Sequence, residues 1–547
     1  MLGKLSQIIG AEHVRDDAEM LNCYARSTHA TPIRPLAVLF PNSREEICKI
    51  LCIILQYPDC LGVYPISCGK NFGYGDAAPL RPGGLVLDLG RMNGIVEVNE
   101  ELGYAVIEPG VTQAQMYEYL RSKHPKLWMD ATGAGLKSSF VGNTLDRGFG
   151  HTRYGDHFLS TCSMEVVLAD GRVLRTGYGH YENAKATRAY RYGIGPFLDG
   201  LFAQSSMGIV TQIGLWLMPA PEDFCAFFFS VGRQEEVAML IDRLRQLRMQ
   251  GLLQSTIHIA NDLRTISARM RYPWERAGGQ APLPAALRAE LRGEIGIGAW
   301  NGCGAIYGTR GIVKATRQAL KQALGEGGFG AGFRLAFLDD RKLTWAHRGR
   351  RMLGLVGAGQ KLQDLLETVE PVYELLKGIP NDDALKGAAW RVRDPDPGHP
   401  VDLMDAHAGI MWVSPVVPAR GKAALEVMAI VEPIYERYGF EALVTFTMIT
   451  ERAMCCVTNL AFDTRQAEET TRAHACYEEL VAALMAKGYQ PYRTGPHGYG
   501  KLAAGSTVFW DVVKEIKQAL DPRGVISPGR YEPWNQATES NGMDSVA

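Results

Sequence analysis

The stretch "CGKNFGYGDAAP" at 68–79 follows an apolar run, "LGVYPIS", and sets glycines at 69, 73 and 75 with Tyr74 between the last two. Glycines let backbone amides approach a pyrophosphate closely, and successive amides form an anion-binding nest. The chemistry this spacing suggests is cofactor phosphate binding. It is not the GxGxxG of a Rossmann turn, and no helix obviously follows, which disfavours a nicotinamide fold. A second loop, "GLVGAGQKL" at 354–362, imitates a nucleotide loop but lacks the strand that should precede it. The twelve histidines include no HExxH and no zinc-like spacing, so no catalytic metal is expected.

Residues 35–110 must position the first loop. They alternate β-rich runs ("LAVLFP", "LGVYPIS", "GLVLDL", "YAVIEPG") with one helix, "SREEICKILCIILQ", where Ser43 can cap and Glu46 lies three residues on. "TQAQMYEYLRSKH" reads as a helix capped by Thr112, and Asp170-Gly171 as the turn of a hairpin. From about 224 the pattern changes: "FCAFFFSV", "GAIYG", "GIMWVSPVVP", "ALVTFTMI" and "MCCVTNLAFD" are strands separated by long amphipathic helices. Such units predict a sheet covered by helices on one face. The organisation expected is therefore a domain over 1–223, a second over 224–490, and a segment over 491–547 that docks back on the first. The tail "NQATESNGMDSVA" is polar and reads as loose.

A chain of 547 residues is too long for one ordinary core, and its 46% apolar and 21% charged residues are those of a folded globular protein. The formal charge of -1 offers no basic excess for nucleic acid or an anionic membrane. No apolar run approaches eighteen residues, and the opening segment carries Glu12 and His13 rather than a secretory signal core. Eleven cysteines without CxxC pairs suit a reducing compartment, so a cytoplasmic location is expected.

The loop at 69–75, "PGV" at 109–111, "SSFVGNTLDRGFGHTRYGDH" at 138–157 and "GPFLDGLFAQSSMGIVTQIGLWLMP" at 195–219 form an ordered set. Together they resemble the FAD-binding domain of the vanillyl-alcohol oxidase / p-cresol methylhydroxylase family. "WNGCGAIYG", "WRVRD", "SPVVP", "TFT", "YRT" and "DPRGVISPGR" extend the resemblance through the rest of the chain to the 4-phenol-oxidising branch. It implies an α+β protein: an FAD-binding domain of that type plus a ferredoxin-like cap domain with an antiparallel sheet covered by helices. It implies FAD contacts at Cys68, Gly69, Lys70, Asn71, Phe72 and Gly73, at Gly142, Asn143 and His157, at Gly208, Ile209 and Val210, and at Arg530. The partners implied are a small phenolic substrate and molecular oxygen or a cytochrome-type acceptor, in a homo-oligomer.

In that branch two tyrosines and an arginine hold the substrate as a phenolate, and the matching positions are Tyr74, Tyr492 and Arg493. A guanidinium with two hydroxyl donors favours the anion, whose electron release drives hydride from the benzylic carbon and leaves a p-quinone methide. Trp412, Thr445, Met448 and Cys455 fall where the family lines its substrate cavity. Two positions depart from the pattern. The flavin-linking residue is replaced by Ile410, which cannot form the bond, so the simplest implication is non-covalent FAD; His407, three residues away, would point to the opposite strand face. An acid near flavin N5 is replaced by Thr132, Gly133 or Ala134, and the small residues at 131–135 would leave room for a bulky substrate such as a lignin-derived phenylpropanoid. Asp130 is expected to be structural. Alternatives in view of these losses are a same-fold FAD enzyme acting on a non-phenolic alcohol or hydroxy acid, and a flavin-binding subunit without catalysis.

Overall fold

Ser43 caps its helix as the spacing predicts. Its hydroxyl accepts the Glu46 amide at 3.2 Å, while the Glu46 carboxylate accepts the Asn42 amide at 2.6 Å. The helix so started, Arg44–Ile54, buries Ile47, Ile50, Leu51 and Ile54 against the first sheet. The computed structural model describes residues 1–547 apart from 326, 331, 355–359, 394–401, 504–506 and 536–547. Most of the "GLVGAGQKL" loop, and all but the first residue of the polar tail, lie outside the described residues.

The first sheet has strands β1 (Val14–Arg15), β2 (Ala37–Leu39), β3 (Val63–Ile66) and β4 (Leu85–Asp88) in the order β1-β2-β4-β3, the last three parallel. β2 and β4 are fully buried, as parallel strands covered on both faces are. The second is antiparallel: β5 (Ile95–Asn99), β6 (Tyr104–Ile107), β8 (Thr161–Val167), β9 (Val173–Arg175) and β10 (Ile209–Trp216), in the order β5-β6-β10-β8-β9. Between its strands in sequence lie β7 (Leu127–Trp128) and, beyond β10, its partner β11 (Met218–Pro219). The β8/β9 hairpin turns at Asp170-Gly171, with Gly171 at φ 83°. Late in the chain, the Val63 amide donates to the Val525 carbonyl and the Ser527 amide to the Val63 carbonyl, both at 2.8 Å, so the C-terminal segment lies along β3 just before the glycine loop. Buried Lys517 fastens it there, donating to Asp521 at 2.7 Å, Ile526 O at 2.9 Å and Ser206 O at 2.6 Å.

The remaining strands form one antiparallel sheet: β12 (Asp223–Val231), β13 (Ile257–Asn261), β14 (Trp300–Gly308), β15 (Arg334–Leu338), β16 (Ala408–Val413), β17 (Val416–Pro418), β18 (Leu443–Met448) and β19 (Ala453–Asp463). Their order is β15-β12-β14-β13-β18-β19-β16, with β17 also on β19. Helices Glu236–Met249, Arg310–Gly325, Gly421–Arg437 and Ala467–Ala486 cover one face over a core that includes Phe227, Phe229, Ile257, Ile259, Trp300, Phe446 and Met448. Because strand side chains alternate, Phe228, His258, Ala260, Thr445 and Thr447 face the other way, into a cavity. No helix among the described residues is long and apolar enough to cross a membrane.

Candidate active site

A cavity of about 1230 Å³ lies between the open face of the large sheet and the glycine loop, the 138–143 segment, the start of β10 and the C-terminal 527–530 segment. Gly69, Gly73 and Gly75 have φ of 62°, 74° and 109°, which side chains disfavour, so the loop needs its glycines. The backbone amides of residues 69–72 donate to no described residue, while Cys68, Gly69, Lys70, Asn71 and Phe72 line the cavity. Amides without a described acceptor, on residues that line a cavity, fit the phosphates of FAD. Across from them Gly142, Asn143, Gly208, Ile209, Val210 and Arg530 also line the wall. One carboxylate ties these parts together: Asp146 accepts from Asn71 Nδ2 at 2.9 Å and from Arg530 at 2.8 Å.

Two residues expected at the cofactor sit elsewhere. Gly73 has its amide committed to Thr28 Oγ1 at 2.8 Å, and a Cβ there would come 2.3 Å from Trp412 Cδ1; its glycine serves close packing. His157 lies behind the wall, its Nδ1 2.7 Å from Asn143 Oδ1 and its Nε2 2.5 Å from Asp130 Oδ2. It thereby positions Asn143, which does line the cavity. Asp130 accepts as well from the Thr152 amide at 2.6 Å, and Gly150 exists because a Cβ would fall 1.6 Å from Asp130 Oδ2. Burial pushes the Asp130 carboxyl up, but the bonds from His157 and Thr152 outweigh it and hold the group below its usual range.

Tyr74, Tyr492 and Arg493 come together from opposite ends of the chain. The Arg493 guanidinium carbon is 3.7 Å from the Tyr74 ring centroid and 5.6 Å from that of Tyr492. Tyr492 is seated by its own backbone, its amide donating to Ser414 O at 3.0 Å and its carbonyl accepting from Gln204 at 2.9 Å. Tyr74 OH is 3.4 Å from Ser414 Oγ, and its ring stacks on Trp412 at 6.5 Å. Burial holds the Tyr492 phenol well above its ordinary pKa, so its hydroxyl keeps its proton to donate. Arg493 Nε is buried with no described acceptor.

On the sheet, Trp412 and Thr445 line the cavity, whereas Met448 and Cys455 do not. Met448 is three residues from Thr445 on one strand, and an odd spacing sends it to the helix-covered core. Cys455 stands opposite Thr447 but is fully buried behind the wall, its thiol toward Ser414 O at 3.7 Å. Ile410, expected at the position of the flavin-linking residue, lines the cavity, and His407 is exposed with φ 55°, outside β16. Thr132, Gly133 and Ala134, expected at the position of the family's acid, line the cavity.

Four lining residues were not singled out from the sequence. His151 stacks on His258 at 4.3 Å, and its Nδ1 lies 3.0 Å from Ala131 O. A carbonyl only accepts, so Nδ1 carries the hydrogen and Nε2 is the ring's acceptor; burial keeps both histidines below the ordinary value, hence neutral. Asp76 accepts from the Thr28 amide at 2.7 Å and hydroxyl at 2.8 Å, and burial pushes its carboxyl up to about 7. Arg264 lies 5.8 Å over the Trp412 ring. His258 and Arg264 are single polar residues on a strand and a helix, and Asp76 and His151 single polar residues in loops, patterns shared with many surface positions.

Comparison with known proteins agrees with this geometry. Residues 35–177 match the FAD binding domain family and residues 377–531 the C-terminal domain of FAD linked oxidases. The chain is 35% identical to 1'-carboxy-chondrochloren decarboxylase of Chondromyces crocatus, over 97% of this chain and 96% of that one. It is 30% identical to the flavoprotein subunit of 4-cresol dehydrogenase [hydroxylating] of Pseudomonas putida, over 96% and 94%. Substrate-bound p-cresol methylhydroxylase superposes with a TM-score of 0.85 at 29% identity, covering 97% of this chain and 96% of that one. The isoeugenol complex of 4-ethylphenol oxidase from Gulosibacter chungangensis gives 0.86 at 28%, covering 98% and 97%. Glycine loop, cavity and near full-length similarity lead to one conclusion: the chain belongs to the vanillyl-alcohol oxidase / p-cresol methylhydroxylase family of FAD-linked oxidoreductases.

Proposed function

We propose that this enzyme oxidises a para-substituted phenol at its benzylic carbon. The observation that supports this most is the convergence of Tyr74, Tyr492 and Arg493 on one corner of the cavity, with Arg493 Nε lacking an acceptor among the described residues. A buried guanidinium without a paired carboxylate calls for an anion, and a phenolate oxygen between it and two hydroxyls supplies one. Bound FAD supplies the hydride acceptor. The amides of 69–72, Asn143, Gly208–Val210 and Arg530 would hold it without a covalent link, since Ile410 offers no nucleophilic atom.

Loss of hydride from the phenolate gives a neutral p-quinone methide, which the clamp holds until it collapses. For collapse by water, His151 is the group we assign to take the proton, because its acceptor nitrogen belongs to a neutral ring in the wall beside 131–134. A second exit fits the absent acid equally well. Where the para side chain carries a carboxylate on the carbon next to the benzylic one, breaking the C–CO2 bond returns its electron pair to the ring, giving a vinylphenolate and CO2 with no water or proton needed. The decarboxylase relative makes that exit concrete.

The test is anaerobic addition of a panel of 4-alkylphenols to the holoenzyme, followed at the flavin absorbance. Bleaching is expected, and Tyr74→Phe and Arg493→Ala should slow it. Bleaching by a non-phenolic alcohol or hydroxy acid instead, or no bleaching at all, would overturn the proposal. Reoxidation with oxygen against an artificial electron acceptor then separates oxidase from dehydrogenase.

A further inference from the structure

We infer that Arg264 forms a second anion subsite in this cavity, one that takes a carboxylate on the para side chain of the substrate. The inference rests on the phenol reading above for which molecule enters, but its structural basis is separate.

Arg264 is in helix Asp262–Arg269, which Asn261 caps by accepting the Arg264 amide at 2.9 Å. Its side chain lines the cavity and lies over Trp412, which itself stacks on Tyr74, so the contacts Arg493, Tyr74, Trp412, Arg264 run along one wall. Among the described residues its one hydrogen bond is to a neutral acceptor, Asn459 Oδ1 at 3.1 Å. The carboxylate nearest in sequence is committed elsewhere: Asp262 binds Arg288 at 2.6 Å and Arg292 at 3.9 Å.

Other arginines show how this chain partners a guanidinium. Arg391 is held between Glu441 at 2.7 Å and Glu469 at 2.6 Å, and Arg530 by Asp146 at 2.8 Å. Arg248 lies against two backbone carbonyls, those of Ser255 and Ile449. Arg264 has one amide oxygen and an open cavity. A buried charge without a counter-charge is costly, and the planar fork of a guanidinium matches a carboxylate in two parallel bonds. Burial also lowers the Arg264 guanidinium to about 10, which still leaves it charged at neutral pH.

The experiment mixes holoenzyme anaerobically with 3-(4-hydroxyphenyl)propanoate, 4-ethylphenol and 3-phenylpropanoate, taking Kd for the two phenols from the concentration dependence of the bleaching rate and for 3-phenylpropanoate from perturbation of the flavin absorbance. In Arg264→Met, the Kd of both carboxylates should rise roughly ten- to hundredfold while that of 4-ethylphenol stays within about twofold. Arg264→Lys should restore part of the carboxylate affinity. Equal weakening of all three probes, or a shifted flavin spectrum in the unliganded variant, would assign Arg264 to flavin or fold and overturn the subsite. No advantage of the carboxylate over 4-ethylphenol in the wild type, with 3-phenylpropanoate failing to bind, would overturn it too. Failure of the phenol reading looks different: 3-phenylpropanoate would bind in an Arg264-dependent manner while the phenolic hydroxyl added nothing.

Discussion

Arg493 lies over the face of Tyr74, its guanidinium carbon 3.7 Å from the ring centroid. The stack fixes the cation through the ring face and leaves Nε open to an anion.

From this follows the first prediction. Arg493→Ala and Tyr74→Phe should each lower kcat/KM for a 4-alkylphenol by on the order of 10²-fold or more, because each removes a group that stabilises developing charge. Steady-state kinetics on variants with unchanged melting temperature check it. Retention of wild-type rates in both would mean the phenolate is held elsewhere.

Flavin release is the second. Acid precipitation should leave the flavin in the supernatant, because Ile410 stands in the cavity wall and His407 is exposed outside it. A yellow pellet would show a covalent link through another residue.

Gly73 gives the third. Its φ of 74° and the 2.3 Å that would separate a Cβ from Trp412 predict that Gly73→Ala destabilises the protein by about 2 kcal/mol or more. Thermal melts measure this, and FAD content should fall with it because the loop lines the cavity. A melting temperature equal to wild type contradicts the packing argument.

Acid sensitivity is the fourth. Burial pushes His29 down to about 4 and His497 to about 3, and the two rings lie 4.4 Å apart with His474 4.9 Å from His497. Between those values and about 6.5 the unfolded chain binds protons that the folded state refuses, so stability falls as pH drops through that window, by about 1.4 kcal/mol per pH unit per proton. Asp76 acts in the opposite sense: with its carboxyl raised to about 7, the folded state holds a proton that the unfolded chain gives up above about 3.9. Melting curves from pH 4.5 to 8 should show His497→Gln flattening the acid loss and Asp76→Asn steepening it. Parallel curves for both variants and wild type would remove these groups from the balance.

Local chemistry is legible in the order of the residues. Ser43 with Glu46, Thr112 and Asp170-Gly171 mark two helix starts and a hairpin, because caps and tight turns are settled within a few residues. The ordered motifs identify the family for the same reason. Residue types are likewise plain in the sequence: Ile410 cannot bond a flavin, and none of 132–134 is an acid.

Tertiary structure decides which residues share the cavity. Met448 reads as a lining residue beside Thr445, yet strand alternation sends it into the helix-covered core while Thr447 faces the site. Asp146 and Arg530, 384 positions apart, meet only because the C-terminal segment adds to β3. Arg264 is unremarkable in a string of letters; only the fold shows that it has no carboxylate partner among the described residues and that neighbouring Asp262 is taken by Arg288 and Arg292. Partnership and facing depend on long-range register and on burial, which sum over contacts from the whole chain and so cannot be read from neighbours in sequence.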